Sequence, residues 1–361
     1  MNSRTFVWGL CACCLPLFWQ PASARAAEQT SETTYLIPEY QSGIQRPSLL
    51  LNGTWDFKYT EKDRWEPILV PGEPAMQGYA IRHDQPFFYR KTFTVPADFK
   101  GQTVILRFDG VYSHARLFVN GKFVREHFGG FSRWETDVTD FVKAGRKNEI
   151  RLEVTDRLDE ISYASGYAHH PIGGILRDVT LFALPENHPA DFHLETDLDA
   201  QYQDAVLRVR YQMNRVAGEE VVYSLLAPDG REVKLPQARF ALKPGMNSQD
   251  LQVTAPQKWD AEHPNLYTLH VQVVRDGQEV CRFSKRVGFR EVEIRKDQMF
   301  VNGMPVKLRG ACRHDIHPKL GRTTTAELDS LDVLLFKRSN MNFVRTSKIL
   351  YLKSFYFNPF N

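Results

Sequence analysis

The sequence is poor in cysteine, and the little it has is badly spread for cross-linking. Of five cysteines in 361 residues, Cys11, Cys13 and Cys14 crowd the start, leaving Cys281 and Cys312 for everything after. That distribution excludes a disulfide scaffold. Because the two remaining residues fall in different predicted domains, two reduced, mostly buried thiols are expected. An excess of charge is missing too: 46 Lys and Arg against 43 Asp and Glu leave a net charge of +3. Neither nucleic acid nor an anionic membrane surface is therefore an expected partner. No membrane span is predicted, and no low-complexity stretch interrupts the chain.

What is present begins with MNSRTFVWGLCACCLPLFWQPASARAAEQ. Arg4 supplies a basic start, Thr5 to Trp19 form an apolar run, and Ala24-Arg25-Ala26 gives a small-x-small cleavage site. This is the pattern of a secretory signal peptide, so an exported protein, periplasmic or extracellular, starting near Ala27 is expected. A lipoprotein box at Leu10-Cys11-Ala12-Cys13 is the alternative, weakened by the apolar residues that continue beyond it.

At ~100–200 residues per domain, two or three domains are expected. Between about Leu49 and Leu184 short runs such as TVILRFDGV, ARLFVNG, NEIRLEV and RDVTLFAL alternate or bury in strand fashion, with Asn120-Gly121 as a hairpin signal. This predicts an antiparallel β-sandwich. Pro185 and Pro189 mark a linker. AVLRVRYQM, EVVYSLLAP, LYTLHVQVV and VCRFSKRVGF, with turns at Asp229-Gly230 and Asp276-Gly277, predict a second sandwich of immunoglobulin-like size.

After Phe289 the pattern changes. MFVNGMPVKLRG predicts a hairpin at Asn302-Gly303 feeding a buried strand. TTTAELDSLDVLLFKRSN predicts a helix with Leu328, Leu331 and Leu335 at helical spacing, and MNFVRTS predicts a second strand. Strand, helix, strand implies parallel pairing in an α/β domain. Two strands do not cover a parallel sheet, so the third domain reads as unfinished.

RGACRHDIHP, residues 309–318, falls at the carboxyl end of the first parallel strand, and Arg345-Thr346-Ser347 at that of the second. Catalytic and ligand groups of α/β barrels gather at that face. His314 is a candidate donor to a sugar hydroxyl and Arg345 a candidate clamp for a hydroxyl or carboxylate; Arg313 and Asp315 complete the candidate substrate-binding set. The plainer reading has Arg309 and Arg313 pairing with nearby acids. A metal at His314 and His317 would need one or two further ligands. His169-His170 belongs to another domain, so no metal and no cofactor are expected.

The order of these pieces resembles glycoside hydrolase family 2, the β-galactosidase and β-glucuronidase relatives, over nearly the whole mature chain. LNGTWDFKY, FFYRKTFTVP, FVNGKFV, GGFSRWETDVTDFV and GGILRDVTLF are similar to its sugar-binding jelly roll. LRGACRHDIHPKLGR and NFVRTS are similar to the first two strands of its catalytic barrel, and GACRHDIHP is closer to the galactosidase branch. The resemblance implies a mainly β protein divided into a signal peptide (1–26), a jelly-roll sugar-binding domain (27–186), an immunoglobulin-like β-sandwich (187–289) and the N-terminal fragment of a TIM-barrel, that is (β/α)8, catalytic domain (290–361).

It further implies a retaining β-glycosidase acting on a β-linked oligosaccharide or glycoside. His314 would stand for the sugar-contacting histidine after strand one, and Arg345, Thr346 and Ser347 for the Arg-Thr-Ser run. Two stretches depart from the family. Lys348-Ile349-Leu350 stands where His-Tyr-Pro is usual, and Tyr167-Ala168-His169-His170 where some relatives carry a sugar-contacting aspartate. Retaining chemistry needs two carboxylates about 5–5.5 Å apart. The family keeps both glutamates on later barrel strands, expected beyond Asn361, so a truncated chain inactive by itself is expected. Asn148-Glu149 imitates the family's acid/base pair but reads as a turn-to-strand junction, and His83-Asp84 and Glu160 have no comparable context. The rival class is a non-catalytic carbohydrate-binding or scaffold protein using exposed aromatics such as Trp55, Trp65, Phe131 and Trp134. Core packing is the plainer account of those rings. Oligomeric state is not legible in the sequence.

Overall fold

The structure, a computed structural model, describes residues 48–157, 171–185, 187–213 and 215–347. Residues 1–26, expected to be a signal peptide, Glu160, Tyr167-Ala168-His169-His170 and Lys348-Ile349-Leu350 lie outside the described residues.

The first sandwich packs a four-stranded sheet against a six-stranded one. The smaller sheet runs Leu49–Leu50, Val179–Leu184, Thr103–Phe108, Trp134–Asp137. The larger runs Glu66–Val70, Gly53–Lys58, Pro86–Thr94, Lys147–Thr155, His114–Val119, Lys122–Phe128. Every pairing within these two sheets is antiparallel. Alternation decides which side chains enter: Ile150, Leu152 and Val154 point into the core while Glu149, Arg151 and Glu153 do not. Asn120 (φ 50°) and Gly121 (φ 77°) both sit in the left-handed region, making the tight turn that matches strand twist. Trp55, Phe57 and Tyr89 fill the centre, with edge-on rings: Trp55 to Tyr89 at 6.4 Å and Phe57 to Tyr89 at 5.3 Å.

The second sandwich pairs Pro189–Leu198, Ala205–Met213 and Gly245–Val253 in one sheet. Its other sheet holds Glu232–Val233, Glu220–Leu226, Tyr267–Arg275 and Gln278–Val287, with Arg239–Ala241 also on Glu220–Leu226. Asp276 (φ 50°) and Gly277 (φ 76°) close the hairpin predicted there. Cys281 is buried in this core. Two polar groups inside are satisfied: the Tyr223 hydroxyl donates to Gln249 Oε1 at 3.0 Å, and Asn247 bonds Lys243 and Gly245 backbone.

The third region opens with Val292–Arg295, Gln298–Val301 and Met304–Val306, turning at Asn302-Gly303 as expected. This hairpin lies on the second sandwich: Asn302 Nδ2 donates to the Trp259 carbonyl and Glu293 accepts from the Tyr202 hydroxyl. Gly310–His314 then pairs in parallel with Phe343–Ser347, across the helix Ala326–Arg338. Thr325 caps the helix, its hydroxyl accepting from Leu328 N at 3.4 Å, with Glu327 and Asp329 in the first turn and Lys337 and Arg338 in the last.

Two expectations are corrected here. The strand Gly310–His314 is not buried: among its residues only Arg313 is, and Cys312 is an exposed thiol. Its sheet has two strands among the described residues, so each of them has one edge without a strand partner there. The helix buries Asp329 and Val333, while Leu331 and Leu335 are half-exposed at 48% and 49%. Asp329 goes inward because Arg313 lies beneath it.

Candidate functional site

Parallel pairing sets Cys312 beside Arg345, Arg313 beside Thr346 and His314 beside Ser347. Alternate residues of a strand face opposite sides, so Cys312, His314 and Arg345 share one face and Arg313 takes the other, towards the helix. The approach of Arg345 Nη1 to Cys312 Sγ, 3.8 Å, agrees with that assignment. His314 is half-buried and Arg345 exposed. Of the four candidate residues, then, the structure places two on one face of the parallel pair, His314 at the carboxyl end of its strand and Arg345 two residues before the end of the other.

Arg313 and Asp315 are occupied elsewhere. Arg313 Nε reaches Asp332 Oδ2 at 2.6 Å, its Nη2 reaches Asp329 Oδ1 at 2.8 Å, and its Nη1 meets Asp315. Burial pulls this guanidinium down, but the three carboxylates outweigh it and hold it above its ordinary value. Asp315 gives its other oxygen to Arg177 Nη2 at 2.5 Å. Arg313, Asp315, Asp329 and Arg177 are all buried and exchange water for charged hydrogen bonds, while Asp332 at the edge of the network stays partly exposed. The plainer reading of Arg313, pairing with nearby acids, is what the geometry displays.

Arg177 is the residue that sequence reasoning missed. It ends the GGILR run of the first sandwich, 138 positions from Asp315. Its Nη1 also donates to the carbonyls of Leu176 (2.8 Å) and Arg322 (2.7 Å). Glu73, buried in the same sandwich, accepts from Arg322 N at 2.6 Å. The only prior signal was a charged residue closing an apolar run, and nothing local indicates its distant partner.

The other candidates have structural explanations. Asn148 is buried and bonds Lys143 N, the Lys143 and Arg146 carbonyls, and Asn120 Nδ2, while the Glu149 amide donates to Asn120 Oδ1. The pair is a turn clamp leading into a strand. His83 Nδ1 lies 2.8 Å from Asp156, whose carboxyl burial pushes up. His317 closes a turn, its amide donating to the Gly321 carbonyl. Among the described residues no group of three or more His, Cys, Asp or Glu is placed to hold a metal ion. Trp55 and Trp134 are core, and Phe131 is partly buried against Tyr112. Trp65 is half-buried, covered by Arg90 at 4.4 Å and Lys58 at 4.7 Å.

Comparison with known proteins gives the same three-part division. Residues 50–185 match the family model for the sugar binding domain of glycosyl hydrolases family 2, residues 187–290 the central family 2 model, and residues 292–356 its TIM barrel domain. Among curated proteins, the chain is 31% identical to a β-galactosidase of Aeromonas hydrophila, over 91% of this chain and 37% of that one. It is 29% identical to a β-galactosidase of Priestia megaterium, over 82% of this chain and 33% of that one. The chain thus spans about a third of the length of these relatives. A solved Bacteroides uniformis β-glucuronidase superposes with a TM-score of 0.75 at 27% identity, over 86% of this chain and 40% of that one.

Proposed function

Because this chain belongs to glycoside hydrolase family 2, we propose that it forms the sugar-facing part of a retaining β-glycosidase of the β-galactosidase type. One observation carries the reading: His314, at the carboxyl end of one parallel strand, shares a face with Arg345 in the carboxyl half of the other, and barrel enzymes bind and transform substrate at that end. There the imidazole exchanges a hydrogen bond with a sugar hydroxyl, and the guanidinium donates to a neighbouring hydroxyl oxygen. The β-galactosidase relatives and the form of GACRHDIHP favour a β-galactoside over a β-glucuronide. The double displacement itself needs an acid/base and a nucleophilic carboxylate, and His314 and Arg345 supply neither. On this reading the 361 residues by themselves are expected to bind sugar without hydrolysing it. Export is read from the Arg4–Ala26 leader pattern, with Ala27 as the mature start.

Saturation-transfer NMR of the purified chain with methyl β-galactoside and methyl β-glucuronide tests the reading. Binding that favours the galactoside is expected, lost in His314→Ala and Arg345→Ala proteins that keep their far-UV circular dichroism. Binding indifferent to both substitutions points to the rival, a carbohydrate-binding module with its site elsewhere. No binding of either sugar points to a scaffold. Chromogenic β-galactosides should stay intact, and turnover abolished by Glu149→Gln would refute the inactive-chain reading. N-terminal sequencing of the exported product tests the cleavage site.

A further inference from the structure

We propose that Arg177, with Glu73, is a positioning residue for His314: the first sandwich, and not the barrel strand alone, sets the direction of the sugar-contacting imidazole. This rests on the sugar-site reading of His314 given above. The strand Gly310–His314 has a single strand neighbour among the described residues, so its ladder holds it along one edge only. The loop after His314 is nonetheless anchored. Both backbone groups of Arg322 are taken by the first sandwich, the amide by Glu73 and the carbonyl by Arg177. The same Arg177 guanidinium holds the Asp315 carboxylate at 2.5 Å.

From Asp315 the chain of charges continues to Arg313 and on to Asp329 and Asp332 of the helix. The Thr324 hydroxyl donates to Asp329 at 2.9 Å, tying in the helix start. His314 therefore sits between two residues whose side chains are both clamped, one to the helix and one to the sandwich. Its own backbone carbonyl accepts from Ile316 N at 3.0 Å, which tightens the turn directly after it. Clamps on both sides fix the backbone at His314 and so the direction in which its Cα–Cβ bond leaves the strand. An Arg fork serves here where a Lys point charge would not, because one guanidinium bonds a carboxylate and two carbonyls at once.

The test uses the full chain labelled at histidine with 13C and 15N, the His314 ring signals being assigned with His314→Gln. In Arg177→Met, the His314 ring resonances are expected to shift and broaden. The affinity for methyl β-galactoside is expected to fall at least tenfold. Arg177→Lys should recover only part of either effect. Asp315→Asn, which keeps the side-chain volume, should repeat the ring shift, and with Arg177→Lys it supplies the comparison if Arg177→Met does not fold. Unchanged His314 signals in folded Arg177 and Asp315 variants overturn the proposal. If the unmutated chain binds no galactoside, the sugar-site reading fails, but the ring signals still decide whether Arg177 positions His314.

Discussion

Glu219→Gln should destabilise the second sandwich in a manner that fades at acid pH. Glu219 is 1% exposed at the start of the strand Glu220–Leu226. Its carboxylate accepts from Arg275 Nε at 2.9 Å, from Asn187 Nδ2 at 2.7 Å and from the Ala217 amide. Burial alone would push this carboxyl up, but the three donors outweigh it and hold it at about 2, against an ordinary 4.5. At ~1.4 kcal/mol per pH unit that displacement corresponds to about 3.5 kcal/mol of stability. Arg275 is 39% exposed, so water screens part of the pair and about 2 kcal/mol is the working figure. Because the folded-state value is depressed, this contribution is complete above about pH 4.5 and lost as pH falls through about 2. Glutamine keeps an acceptor for Asn187 but has no charge for Arg275, and it turns an amide nitrogen towards the Ala217 N–H. The assay is urea unfolding followed by hydrogen exchange in peptides covering residues 219–226 and 267–275. The difference between the two proteins should be about 2 kcal/mol at pH 7, roughly half that at pH 3, and negligible near pH 2. An equal difference at pH 7 and pH 3 would refute the argument, since it would mean that the carboxyl titrates alike in the folded and unfolded chains.

The other predictions concern packing, the imitation motif and the anchored loop. Trp134 stacks between Phe108 at 4.4 Å and His127 at 5.1 Å, so Trp134→Ala should cost about 3–5 kcal/mol in thermal unfolding. The same change should let the His127 imidazole, held down at about 4 by burial and by Arg125, titrate closer to 6.5 in NMR. Asn148→Ala breaks a buried amide clamp and should cost about 1–3 kcal/mol, whereas Glu149→Gln should stay within about 0.5 kcal/mol. Limited proteolysis with mass mapping should cut in the helix Ala326–Arg338, with its half-exposed Leu331 and Leu335, before it cuts residues 309–323. Cleavage first between His314 and Arg322 would contradict the anchoring by Glu73 and Arg177.

Much of the architecture was legible in the sequence, because it is written in local periodicity. Period-two alternation in NEIRLEV and AVLRVRYQM dictates which face is buried, and Asn120-Gly121, Asp276-Gly277 and Asn302-Gly303 dictate where hairpins close. Thr325 and the acidic first turn dictate the helix start. Each of these rests on residues within a few positions of one another, so no tertiary information is needed. The position of His314 and Arg345 towards the strand ends was legible for the same reason, once a parallel pair was inferred from strand, helix, strand.

The fate of charged side chains was not legible, because it depends on partners far along the chain. Arg313 and Asp315 look like substrate ligands in RGACRHDIHP, yet the parity of the strand turns Arg313 to the helix, where Asp329 and Asp332 neutralise it. The helix leucines read as an apolar face without a cover, and Leu331 and Leu335 are exposed; what the sequence did not reveal is that the guanidinium beneath the helix draws Asp329 inward beside Val333. Arg177 meets Asp315 across 138 residues. Burying a guanidinium costs several kcal/mol unless carboxylates meet it. Which carboxylates do so is a property of the packed domains, and only the tertiary structure could decide it.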